Sequence, residues 1–136
     1  NLAFVTATQA LETYWANTAF TAEIQRKERQ VRDWLENLVH SYPNAGLSVR
    51  GRGLIQGLVC NTTPALANRI AQNAFKKGVV IETSGAHDEV LKLLPALTIE
   101  EELLSKGLDV IEASVAEALA EEGQSARILK FGGKRQ

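Results

Sequence analysis

The sequence contains no methionine and only one cysteine, Cys60. A lone cysteine excludes an internal disulfide and a cysteine-based zinc site, so a reducing cytoplasm is the default expectation. No apolar run approaches the roughly 20 residues that span a bilayer, and no signal peptide is recognisable. An excess of charge is missing too, since 15 Lys and Arg stand against 16 Asp and Glu. Such a balance supplies no field for gathering nucleic acid or an anionic membrane. The absent methionine, with an opening residue Asn1 that leads straight into an apolar helix-like run, raises the expectation of a piece excised from a longer polypeptide.

What is present suits one ordinary domain, with 136 residues of which 45% are hydrophobic. From Leu2 to Trp15 apolar residues surround the expected helix, which marks burial, either in this domain's own core or against a partner surface. A second helix is expected from Thr21 to Tyr42. Its buried stripe is Ile24, Val31, Leu35, Leu38 and Val39, its outer face includes Arg26, Lys27 and Arg29, and Glu28 pairs with Arg32. Leu47–Cys60 reads as extended chain broken by Gly51, Gly53 and Gly57. More strand follows these glycines, not a helix N-terminus, which rejects a dinucleotide loop.

A third helix is capped by Thr63, opened by Pro64 and stopped by Gly78, with Leu66, Ile70, Ala74 and Phe75 on one face. Residues 79–81 read as a short strand, 82–89 as a loop and 90–94 as another strand. Thr98 and Glu101 form a capping box for a fourth helix, with a stripe at Leu104, Leu108, Ile111, Val115 and Leu119, ending at Gly123. The fold class is therefore α+β, with helices packed on one face of a small, largely antiparallel sheet. Residues 1–123 form the domain, with 1–20 as a linking helix, and 124–136 a loosely ordered tail.

Little chemistry is visible in composition or spacing. His40 sits at a helix C-terminus, where the dipole suits imidazolium, and His87 lies in a polar loop. Cys60 reads as a small buried hydrophobe, and Glu100–Glu102 as first-turn charge. No metal-ligand pattern or nucleophile–base set is present.

Specific similarity goes further. The opening Asn1–Leu11 resembles the segment where large domain passes to small domain in the class III, fold type I, pyridoxal-phosphate aminotransferases. Val49–Leu58 is similar to their V-R-G-x-G-L-x-x-G strand, and Ala74–Gly85 and Asp88–Ile99 to their last elements. The phrase Ile81–Gly85 resembles the branch that makes diaminobutyrate for ectoine synthesis. The resemblance is collinear over residues 1–120 and implies amino transfer from glutamate to aspartate 4-semialdehyde. It implies pyridoxal 5'-phosphate bound through a lysine of the large domain upstream, so this chain holds no catalytic or cofactor-binding residue and is inactive alone.

The resemblance also implies partners: the missing large domain, a homodimer or higher homo-oligomer, and small amino and keto acids, with neither nucleic acid nor membrane. Relatives place an arginine before a P-P-L segment as a bidentate grip on a substrate carboxylate. Here that place holds Lys92, which keeps charge but lacks the fork. Arg50 and Arg52, which strand alternation points to one side, are alternatives, and Thr83, Ser84 and Gly85 are expected at the cleft mouth. An ornithine or 4-aminobutyrate aminotransferase, and a freestanding α+β interaction module, are the competing readings.

Overall fold

The computed structural model describes residues 1–132, with side chains described as far as Gly123. Four helices and four strands follow in the order α1 (Leu2–Tyr14), α2 (Ala19–Ser41), β1 (Leu47–Arg52), β2 (Ile55–Cys60), α3 (Ala65–Lys76), β3 (Glu82–Ser84), β4 (Val90–Leu93) and α4 (Glu101–Gly132). The sheet order is β1-β2-β4-β3 and every pairing is antiparallel. Helices α2, α3 and α4 cover one face of it. The α+β class expected from the sequence is the one observed.

The core lies where the helical stripes meet that face. Leu58, Cys60, Leu91 and Leu93 come from the sheet and are at most 4% exposed; Val31 and Leu35 from α2, Ile70 from α3, and Leu108 and Val115 from α4 close over them. Cross-strand register puts Leu58 beside Leu91 and Gln56 beside Leu93. Alternation then sends Gly57, Val59, Val90 and Lys92 to the opposite, open face.

Helix α1 buries none of its residues; Leu2 and Phe4 are 77% and 78% exposed. It therefore does not belong to this domain's own core, and its all-round apolar surface stays uncovered. An aromatic cluster of Tyr14, Trp15 and Phe20 forms the α1–α2 junction, with Tyr14 and Phe20 centroids 4.9 Å apart. Covering a large apolar side chain is worth about 1.5–3 kcal/mol, so the isolated 136-residue chain is expected to self-associate through α1. Light scattering checks this: Leu2→Ser with Phe4→Ser should return it toward a monomer.

Several local expectations are corrected. Lys27 is not on the outer face: its side chain is 1% exposed, because it lies four residues before Val31 on the buried stripe. Glu28 and Arg32 are not paired with each other. The Glu28 carboxylate accepts the Gly53 N–H at 2.8 Å, and Arg32 Nη2 donates to the Gly51 carbonyl at 2.6 Å. Both thus fasten the β1–β2 turn to α2. Phe75 is 68% exposed, since nine residues beyond Leu66 is about half a turn away. The N-cap position of α3 is Pro64, which has no side-chain cap, and the first-turn amide of Leu66 goes to the Thr63 carbonyl at 2.9 Å instead.

The strand expected at 79–81 lies at 82–84, inside the expected loop. Val79 N–H is spent on the Ala74 carbonyl at 3.0 Å as the end of α3, and Val80 points outward at 80% exposure. The chain reaches β4 only at Glu82. The capping box at Thr98 gives way to a helix that starts at Glu101, whose carboxylate is drawn to Arg26 Nη1 at 2.5 Å. Helix α4 passes through Gly123 and runs to Gly132. Of the tail expected to be loosely ordered, residues 133–136 lie outside the described residues.

Candidate functional site

On the open sheet face one row crosses all four strands: Arg50 in β1, Gly57 in β2, Lys92 in β4 and Glu82 in β3. Each is the direct register partner of the next. Gly57 leaves a notch between the two cations. An added Cβ there would lie 2.7 Å from Val90 Cγ1 and 3.3 Å from the Leu91 carbonyl oxygen. Arg50 and Lys92 stand two strands apart, about 10 Å, with no side chain between them in the row. Lys92 Nζ is 2.9 Å from Glu82 Oε2, and the Lys92 side chain is 31% exposed.

The neighbouring row carries Ser48, Val59, Val90 and Ser84. Val59 and Val90 are buried yet stand outside the main core cluster, which gives this face a small apolar floor of its own. Beyond Ser84 the chain turns at Gly85, whose φ is +100°. A Cβ at Gly85 would run into the Glu89 carboxylate. That carboxylate accepts the His87 N–H at 2.9 Å. Its own amide and that of His87 hold the Glu89 carboxyl below the usual range, with His87 and Arg50 contributing their charge.

The sequence-derived candidates thus divide. Lys92, Arg50 and Ser84 share the open face, and Gly85 turns the adjoining loop. Arg52 is on the same side but next to the hairpin tip, paired with the exposed Ile55. Thr83 falls on the helix-side face, opposite Leu91, with Oγ1 3.4 Å from Asp88 Oδ1. Two residues that sequence reasoning missed are Glu82 and Glu89, the carboxylates set against these cations. Only the antiparallel register brings Glu82 to Lys92, and no local motif carries that register.

Beside this face, an open groove of about 350 Å³ runs between residues 79–82, the end of β4 and the first turns of α4. Val79, Ile81, Leu94, Leu103 and Leu108 line it, and Glu82 and Lys92 are its charged residues. The other described titratable groups offer no second centre. Burial pushes the Cys60 thiol up to about 11, so it is a protonated thiol at neutral pH and a poor nucleophile. His40 is in the last turn of α2 and exposed, and His87 is exposed. Glu101 is engaged by Arg26 and Glu102 by Lys106. Among the described residues no group of three or more His, Cys, Asp or Glu could hold a metal.

Covalent attachment of a cofactor would need a lysine amine. Lys27, Lys77, Lys92 and Lys106 each have the ammonium on a carboxylate, and Lys76 Nζ lies 3.4 Å from Asn73 Oδ1. The groove beside Lys92 is mainly apolar and presents no phosphate cradle. The described residues therefore do not fit pyridoxal phosphate, which needs both a lysine amine and phosphate-binding donors.

Residues 1–115 match the family model described as Aminotransferase class-III. A diaminobutyrate–2-oxoglutarate transaminase of Bordetella parapertussis is 77% identical over 136 residues, all of this chain and 31% of that protein. One from Wolinella succinogenes is 43% identical over 135 residues, 99% of this chain and again 31% of the relative. This chain thus spans about a third of the length of these curated relatives. Among solved structures, a phospholyase from Arthrobacter in complex with phosphoethanolamine superposes with a TM-score of 0.69 at 28% identity, covering 82% of this chain and 27% of that one. An N-acetylornithine aminotransferase from Stenotrophomonas maltophilia gives 0.68 at 27% identity, covering 78% and 29%. The chain belongs to the class III aminotransferases.

Proposed function

We propose that this chain is the C-terminal small domain of a transaminase that moves an amino group from glutamate to aspartate 4-semialdehyde, giving 2,4-diaminobutyrate and 2-oxoglutarate. The observation that carries the reading is the 77% identity across the whole chain with a protein of that name. In this reading pyridoxal phosphate and its lysine belong to the large domain, and the open sheet face forms one wall of the substrate cleft. The cation of Lys92 or Arg50 supplies the attraction for a substrate carboxylate. Glu82 is then the counter-ion that a carboxylate must compete with at Lys92. Ser84 and Gly85 stand at the mouth, and Arg52 and Thr83 are further from it. A homodimer, a cytoplasmic location and a place in ectoine synthesis belong to the same proposal.

The test is an amine panel on the full-length protein. Glutamate-dependent turnover with aspartate 4-semialdehyde is expected to exceed that of the ornithine and 4-aminobutyrate couples by at least about tenfold, the low end of what one methylene is worth in a fitted pocket. Equal or better activity on ornithine removes the diaminobutyrate assignment.

A further inference from the structure

Lys27 is the one charged side chain in the buried set of α2, alongside Val31, Leu35 and Leu38. Its ammonium meets Glu23 Oε1 at 2.7 Å and donates to the Leu97 carbonyl at 3.3 Å. Glu23 is itself about half exposed, and the ammonium holds its carboxyl below the usual range. Leu97 belongs to the segment between β4 and α4, which has no strand or helix partner of its own. Its internal hydrogen bond is a turn, Ile99 N–H to the Ala96 carbonyl at 3.0 Å. The next residue of α2, on the N-terminal side, ties the far end of the segment: Arg26 reaches Glu101.

A buried ammonium is a costly way to gain cohesion. Replacing a buried ion pair by apolar side chains is often neutral or stabilising, and because Glu23 is half exposed, removing the lysine alone strands no buried charge. What the charge adds is direction, because a charge-assisted bond from a rigid helix fixes one carbonyl of a loop. The loop so fixed runs on directly from Lys92 and carries Leu94, Pro95 and Ile99 into the groove wall.

We propose that Lys27 is a positioning residue, which through the Leu97 carbonyl fixes residues 94–100 and with them the cleft wall that continues from Lys92. The proposal rests on the transaminase reading for its kinetic consequence. It is tested in the full-length protein with Lys27→Met, which keeps most of the length of the side chain and removes the charge. The Ile99 amide, the one in residues 96–100 that donates to a backbone carbonyl, is expected to exchange about tenfold faster, a local opening that leaves the core untouched. The KM for glutamate is expected to rise about tenfold with kcat within about twofold, the signature of a displaced binding wall. The melting temperature should hold or rise. Lys27→Arg, which keeps a charged donor, should hold KM within about twofold.

Unchanged exchange and KM in K27M overturn the proposal. So does a fall in melting temperature with KM unchanged, or a K27M protein that fails to fold, since either makes the lysine a stability element. Lys92→Gln separates this inference from the reading beneath it. If K92Q leaves KM alone while K27M raises it, Lys92 is out of the substrate's path and the role of Lys27 stands. If the wild type transaminates nothing, the exchange measurement decides alone.

Discussion

Gly51→Ala is expected to destabilise the domain by about 2–5 kcal/mol, a large part of the 5–15 kcal/mol that holds a typical domain together. Gly51 has φ +118°, in a region that side chains rarely adopt. An added Cβ would overlie the Ile55 carbonyl oxygen and lie 2.6 Å from Gln56 Cα. Both obstacles are backbone of the paired strand, so no side-chain rotation relieves them. Gly53, two residues on, is the control: its φ is +60° and nothing stands within 4 Å of where an added Cβ would sit. Gly53→Asn, a residue that tolerates the left-handed region, is expected to cost under about 1 kcal/mol. Urea denaturation of the two variants checks the contrast, and equal midpoints would refute it. The effect reaches the site, because the same hairpin carries Arg50 and Arg52 and is held to α2 by Glu28 and Arg32.

Leu58→Ala is expected to cost about 2–5 kcal/mol through lost burial and the cavity left behind. Leu58 is fully buried on β2, an interior strand, beside Leu91, and belongs to the cluster where α2, α3 and α4 meet the sheet. No neighbouring loop can collapse into the space, since both flanking strands are fixed by the ladder. Ile55 on the open face is 65% exposed, and Ile55→Ala should change stability by less than about 0.5 kcal/mol. Thermal melts of the two variants provide the measurement. Comparable losses would mean that the open face is as deeply packed as the helical one.

These two effects show which parts of the fold are written locally. The stripes Val31–Leu35–Leu38 and Leu104–Leu108–Ile111–Val115 repeat at helical spacing, so α2 and α4 are legible directly. The glycine-broken stretch 47–60 announces extended chain, and the positive φ at Gly51, at the end of β1, explains why glycine is needed there. The short strand lies away from its expected place because its position depends on two non-local facts: where α3 spends the Val79 amide, and where β4 can pair. Residue type alone puts Lys27 in water, although its spacing to Val31 places it on the stripe.

The candidate site is legible in its cations and hidden in its anions. Lys92 stands out by resemblance to an arginine position, and alternation groups Arg50 with Arg52. Glu82 and Glu89 fall in an expected loop, and only register and the folded 85–89 turn bring them to those cations. Adjacency in sequence groups Thr83 with Ser84 and Gly85, whereas a strand sends Thr83 and Ser84 to opposite faces.

The central claim is that the residues of this chain build a cleft wall and do not themselves hold the cofactor. The most direct measurement mixes the purified 136-residue chain with pyridoxal phosphate, reduces with borohydride and maps the labelled peptides. Sparse labelling scattered over surface lysines, with no glutamate turnover, is the expected result. Stoichiometric labelling of a single lysine, together with unaided turnover of an amino donor, would contradict it.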